Sequence, residues 1–412
     1  MTLTSTEIPG TLRDIDSGRL VVDLLDPELY QANPHDVWAW MRANEPVYHD
    51  KRNGLWALSR HADVMDVERR STVFVSGQGY RANWAPEEIN MIAQDDPRHR
   101  QQRMLVQPKL TRAAVQPREE ELRTLVTELI DAFIEDGQVE LVQGFSGQLP
   151  ARLTCRLLGF PEDAWPKVKE WSERLMRTDM IHRDGQAFRE FIDANMEFAG
   201  LMMAIAPGKI EAAGSGCPMD DFLTTWLTTP IDGETLSPNA IVHETGLFIA
   251  GGAETTRTAI SHGLRAFADH PDQWEAMAAD PSLVPGAVEE VLRWVTPLNN
   301  FFRRATQDAV VGGQEIQRGE RVIMLYPSAN RDETVFADPF TFDIRRNPNP
   351  HLSFGFGTHL CVGANLARLT LTIVFTELSR RITALTPVNE PDVEANIFAR
   401  AVRSFDLAFT PR

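Results

Sequence analysis

The residues best placed to do chemistry lie in one string, Phe354-Gly355-Phe356-Gly357-Thr358-His359-Leu360-Cys361-Val362-Gly363. A single cysteine stands in a glycine-rich loop just ahead of Ala364 to Arg381, where Ala364, Ala367, Leu371, Val374 and Leu378 recur at helical spacing. The positive end of a helix favours thiolate over thiol. The glycines let the backbone turn tightly and aim N–H groups at the sulfur, and Phe354 is placed to shield it from water. Such a loop prepares one thiolate as a metal ligand. Cys361 alone also fits a buried structural cysteine, or the nucleophile of a hydrolase partnered by His359 or His351; the full string favours the ligand.

Three further patterns precede it. Pro238 to Asp269 reads as one long helix opened by Ser237-Pro238, and it contains Ala250-Gly251-Gly252-Ala253-Glu254-Thr255-Thr256. Adjacent glycines inside a helix cost roughly 1 kcal/mol each relative to alanine. The Thr255 hydroxyl can take the Gly251 carbonyl four residues earlier, so the segment is expected to form a groove with room for a small ligand; close helix packing is the alternative. Glu290 and Arg293 stand three residues apart on one helix face, ordinarily a solvated ion pair. In Asp96-Pro97-Arg98-His99-Arg100-Gln101-Gln102-Arg103, His99 and Arg103 share a face at i, i+4.

Together these strings resemble the cytochrome P-450 family, the haem-thiolate monooxygenases, over essentially the whole chain. The resemblance is to the soluble bacterial type, and Arg346-Asn347-Pro348-Asn349-Pro350-His351 looks like actinobacterial members that oxidise steroids, terpenoids and branched lipids. It implies a mostly α fold with small β-sheets, a single triangular domain over 1–412 with a long central helix above haem b. Cys361 would be the proximal iron ligand, and Glu254 and Thr255 the acid–threonine pair that relays protons to oxygen. His99, Arg103, Arg303, His351, Phe354, Gly355 and Gly363 would contact the haem. Glu290, Arg293 and Arg346 would form a structural triad behind the loop, and Leu247, Ala250, Leu298, Asn299 and Phe398 the pocket wall. An apolar lining with an occasional amide suits a lipophilic substrate with one polar handle. The implied reaction inserts one atom of dioxygen into a C–H bond of such a substrate, the chain offering the bond and the haem doing the hard chemistry. Electrons would come from a separate ferredoxin and ferredoxin reductase, since no such segment is attached. A peroxide-driven peroxygenase or fatty-acid hydroxylase is an alternative within the class. A non-catalytic haem sensor or carrier would leave the Gly-Gly-Ala-Glu-Thr segment without purpose.

Composition agrees. The 412 residues scatter 26 Pro and 26 Gly without a linker or repeat, and a net charge of −17 argues against nucleic acid as partner. Arg98, Arg100, Lys109 and Arg112 form a local basic patch, which by resemblance is where an acidic ferredoxin docks and otherwise is a solvated helix face. The polar N-terminus and the lack of an apolar run of about 18 residues point to a soluble, cytoplasmic protein with no membrane span. Cysteines at 155, 217 and 361 give no disulfide framework. A hairpin is expected around Asn53-Gly54, and helices at 60–70, 117–135, 163–177 and 185–204. The loop 77–95 and the stretch 171–216, with Tyr80, Trp84, Phe188, Met202 and Met203, are expected to cover the substrate.

Overall fold

The Asn53-Gly54 turn, with Gly54 in the left-handed region, folds β1 (Val47–Asp50) back on β2 (Leu55–Leu58). The hairpin extends into a five-stranded sheet with β3 (Phe74–Val75), β4 (Asn300–Ala305) and β5 (Arg321–Leu325), in the order β1-β2-β5-β4-β3. Only the β2–β5 pairing is parallel. Alternation along β4 places Phe301 and Arg303 on the wall of a large cavity and Phe302 in the core. A three-stranded antiparallel sheet joins Ile382–Pro387, Asp406–Pro411 and Gln138–Glu140. The remainder is mostly helical. This computed structural model describes residues 8–13, 20–83, 85–180, 183–216 and 219–412; Trp84 and Cys217 lie outside them.

The helices that build the site are α1 (His61–Arg69), α2 (Arg98–Val106), α3 (Gln148–Leu158), α4 (Trp165–Met176), α5 (Gly185–Gly214), α6 (Pro238–Asp269), α7 (Val284–Val295) and α8 (Ala364–Arg381). The bounds of α6 and α8 match the sequence reading. Ser237 Oγ accepts from the Ala240 N–H at 3.2 Å and Pro238 fills the first turn, so α6 begins where its cap dictates. The C-terminal half of α6 is buried and packs with α7 and α8, while α3 and α4 flank it. Helix α5 outruns its expected end by ten residues, passing through Pro207. Pro207 is exposed, where water can serve the carbonyl that loses its donor, and buried Lys209 ties the extension to Asp221 at 2.7 Å. Met202 is buried in the core and Met203 is solvent-exposed; neither reaches the cavity. Among the described residues, no helix is long and apolar enough to cross a membrane.

Near its start α6 also anchors the loop that roofs the cavity. Glu244, 1 % exposed, accepts the Met91 N–H at 2.9 Å through Oε1, while its buried Oε2 has no partner among the described residues. Burial pushes its carboxyl up to about 8, opposed by the Met91 N–H and the charge of Arg98. The folded chain therefore keeps a proton that the unfolded chain releases above about pH 4.5, and stability falls as pH rises toward 8. Glu244→Gln keeps the acceptor for Met91 and removes the titration. In thermal melts the variant should gain on the parent between pH 6 and pH 8.5, by about 1 kcal/mol or more, roughly 1 °C or more for a chain of this length; a pH-independent difference would contradict this account.

Candidate active site

Cys361 sits in a turn closed by its own N–H donating to the Phe354 carbonyl at 2.9 Å. Gly355 and Gly357 both adopt left-handed φ, +70° and +72°, and a Cβ on Gly357 would lie 2.7 Å from the Glu68 carbonyl oxygen. That turn is available only to glycine. Backbone N–H groups of Gly363 and Ala364 point at the sulfur, and the Arg103 and Arg368 charges favour the thiolate. Burial nevertheless outweighs them and holds the thiol above its usual range, so the helix start alone does not make the thiolate that the sequence analysis expected. The sulfur's exposed surface faces the cavity rather than bulk water. Phe354 also lines the cavity, and the Arg368 guanidinium lies 4.6 Å from its ring centre.

The cavity, about 840 Å³, runs along α6. Thr255 lines it and donates to the Gly251 carbonyl at 2.8 Å, yet α6 continues unbroken. The two glycines divide their work. A Cβ on Gly251 would meet nothing within 4 Å, whereas one on Gly252 would lie 2.8 Å from Thr154 Oγ1 on α3. The first leaves space and the second allows helices to approach. Glu254 does not line the cavity: it is 1 % exposed and paired with Arg257, which also donates to Glu173 at 2.5 Å. Burial pushes the Glu254 carboxyl up against the pull of Arg257, and Glu254 Oε2 has no partner among the described residues.

His99, Arg103 and Arg303 come together on the cavity wall from α2 and β4, although 200 residues separate Arg103 from Arg303. The His99 Nδ1–H donates to Asp96 Oδ1 at 3.2 Å. Arg303 pairs with buried Glu68 at 3.1 Å, and the Tyr326 hydroxyl donates to the same carboxylate at 2.5 Å. His351 does not join them. Its Nε2 meets Glu289 on α7 at 3.0 Å, beside an Arg368–Glu289 pair, and this network holds the ring off the cavity. The histidine on the wall is His359, whose ring centre lies 4.2 Å from that of His99. Burial and the neighbouring Arg303, His99 and Arg103 push its pKa down to about 2. Its position two residues before the cysteine was the available signal; Glu68, Tyr326 and Arg81 carried none.

These features fit a haem. A thiol faces a cavity whose wall beside it gathers Arg103, Arg303, His99 and His359, and of these Arg303 is answered by the Glu68 carboxylate. A macrocycle with two acidic side chains would supply the missing anions. Gly355 and Gly363 border the same space.

Behind the loop, Glu290 and Arg293 are both fully buried and joined at 2.7 and 2.8 Å. Arg346 approaches Glu290 at 3.2 Å, and Asn349 and the Asp343 N–H add donors. The pair is therefore not a solvated surface contact. Of the expected pocket residues, Leu247, Ala250, Leu298 and Phe398 line the cavity. Asn299 does not: its amide donates to the Asn396 and Ile397 carbonyls, and its N–H to the Phe398 carbonyl at 2.7 Å. It positions Phe398 instead. Arg81 packs over the Phe398 ring, 4.0 Å from its centre, and is held by Asp179. Tyr80 and Phe188 also border the cavity.

A helical fold around one long helix, with a lone thiol facing a cationic-walled cavity, defines a haem-thiolate protein. Residues 276–399 match the family described as cytochrome P450. The chain is 37% identical over 395 residues to a steroid C26-monooxygenase of Mycobacterium tuberculosis, covering 95% of this chain and 97% of that protein. A steroid C26-monooxygenase of Mycolicibacterium smegmatis is 36% identical, with 95% and 96% covered. A Mycobacterium marinum cytochrome P450 in complex with pseudoionone superposes with a TM-score of 0.83 at 30% identity, covering 92% of this chain and 95% of that one. The chain belongs to the cytochrome P450 family: it is a monooxygenase whose cofactor is haem b.

Removing one partner of a fully buried ion pair costs about 3–5 kcal/mol. Arg293→Met should therefore lower the unfolding midpoint in denaturant steeply and reduce haem retention, while a surface control, Arg403→Met, should leave both unchanged. Equal behaviour of the two variants would show that the triad does not hold the loop.

Proposed function

We propose that this chain hydroxylates a lipophilic substrate of the steroid class near the end of its alkyl side chain, with electrons from a separate ferredoxin. The supporting observation is the long cavity that has the Cys361 thiol on one wall and apolar side chains from α4, α6 and β4 along its length, together with relatives named steroid C26-monooxygenases. A Bacillus megaterium structure in complex with testosterone has the same fold, at a TM-score of 0.82 and 26% identity.

Haem, held by Cys361 as the iron ligand, supplies reductive activation of dioxygen and insertion of one oxygen atom into a C–H bond. The chain's part is placement and proton control. His99, Arg103, Arg303 and His359 would hold the acidic groups of the cofactor, and Gly355 and Gly363 keep the adjoining loop free of side chains. Leu247, Ala250, Leu298 and Phe398 present the substrate and exclude water. Thr255 Oγ1 hands a proton into the cavity. Glu254, on the far side of the helix and able to hold a proton through burial, resupplies it by leaving Arg257. The exposed Arg98, Arg100 and Arg112 form the docking face for an acidic ferredoxin; Lys109 is already engaged by Asp220.

Titrating the ferric protein with steroids, terpenoids, ionones and fatty acids tests the substrate class: a high-spin shift confined to steroids is expected, and one confined to fatty acids would overturn it. Cys361→Ser should lose the strongly red-shifted Soret band of the reduced carbon monoxide complex along with all monooxygenation, because an alcohol is a poor anionic donor at neutral pH; an unaltered band would exclude Cys361 as ligand. Thr255→Ala should keep the haem spectrum and consume NADH, but with at least about tenfold less product per reducing equivalent and hydrogen peroxide in its place. Full coupling in that variant would remove Thr255 from proton delivery.

A further inference from the structure

Most of the cavity wall is apolar, but its roof carries polar side chains. Tyr80 Oη and Asn90 Nδ2 both donate to Glu88 Oε1, at 2.6 and 2.7 Å. The next residue, Ile89, donates its N–H to His243 Nδ1 at 3.0 Å. Glu88, Tyr80, Asn90 and His243 all line the cavity. Because Nδ1 accepts, the neutral ring carries its proton on Nε2, and burial favours that neutral form. Neither His243 Nε2 nor Glu88 Oε2 has a hydrogen-bond partner among the described residues. Among the polar groups of the roof are thus a free donor on His243 and a free acceptor on Glu88, two side chains brought together through Ile89 and close enough for the Glu88 charge to act on the imidazole.

Only some ligand groups satisfy both. A hydroxyl accepts from Nε2–H and donates to the carboxylate. A ketone accepts but leaves Glu88 unanswered, and a carboxylate is repelled by it. Position adds a second constraint. His243 precedes Thr255 by twelve residues on α6, about 18 Å at 1.5 Å per residue. That span is comparable to a steroid nucleus with an extended alkyl side chain. We propose that His243 and Glu88 form a hydroxyl-recognition site, so that this monooxygenase prefers steroid alcohols whose hydroxyl lies at the opposite end of the molecule from the carbon oxidised. The inference rests on the steroid reading above and adds the polar group and its orientation.

The test uses a matched pair, 5α-cholestan-3β-ol and 5α-cholestan-3-one, titrated into the haem-loaded ferric protein and read by the high-spin shift. The parent should bind the alcohol about tenfold more tightly, the worth of roughly one extra hydrogen bond to a charged group. Glu88→Gln keeps an oxygen for Tyr80 and Asn90 but turns the free acceptor into a donor, so the preference should vanish or pass to the ketone. His243→Phe should weaken both ligands, and an unchanged carbon monoxide spectrum in each variant verifies its fold. Equal affinity for the two ligands in the parent would overturn the hydroxyl site and leave the steroid reading standing, as would an alcohol preference that persists in Glu88→Gln. No spectral shift with either ligand in the parent would overturn the steroid reading and this site with it.

Discussion

The carboxylate of Glu290 is the interaction on which the arrangement of the active site depends. Taking a carboxylate out of water costs several kcal/mol, and the cost is offset only by good geometry and a full set of donors. Arg293, Arg346, Asn349 and the Asp343 N–H provide that set. The same arginines also donate to carbonyls of residues 330 to 341, so the segment between β5 and the cysteine loop is fastened to α7. Asn330 passes the constraint on: its side chain accepts the Leu352 N–H at 2.7 Å and donates to Ser353 Oγ, which in turn bonds the Leu292 carbonyl. From Ser353 the chain enters Phe354, whose carbonyl takes the Cys361 N–H. A buried charge is thus linked to the Cys361 backbone by hydrogen bonds and the short chain segments between them, so the place of the cysteine is set in part by groups remote from its sulfur.

Helix geometry explains why the acid and the threonine have separate surroundings. Successive residues on an α-helix are rotated by about 100°, so Thr255 facing the cavity directs Glu254 elsewhere. It meets Arg257 one turn on and, through it, Glu173 on α4. Adjacent residues therefore sit on two sides of one wall, a hydroxyl open to the cavity and a carboxyl sealed from it. Gly251 and Gly252 are divided in the same way, one giving room to the cavity and the next giving room to α3.

What was legible in the sequence was local. The glycine–cysteine loop, the caps of α6, the start of α8 and the spacing of Glu290 and Arg293 are each specified within a few residues, and they lie where the sequence places them. Choices that depend on distant partners were not legible. The sequence assigns a cofactor acid to His351 and not to His359; Glu289 and Arg368, drawn in from α7 and α8, engage the first, while the second lies on the wall. Asn299 looks like a polar handle in a pocket until the carbonyls of residues 396 and 397 claim its amide. Glu68 and Tyr326 reach the site from α1 and from the end of β5, with no motif to mark either.

The charge distribution of the cavity completes the account of the thiol. Burial raises Cys361 more than the Gly363 and Ala364 N–H groups and the nearby guanidiniums lower it, so the folded chain alone holds a thiol rather than a thiolate. A bound metal inverts that balance, since a coordinating thiol is deprotonated outright. The cationic wall needs anions as well: burial, and then the charges of Arg303, His99 and Arg103, hold His359 neutral, and Glu68 answers only Arg303. One cofactor bearing a metal and two acids relieves both imbalances together. The two misfits point to the same kind of occupant, one whose metal would take the Cys361 sulfur as thiolate and whose acids would take the guanidiniums of the wall.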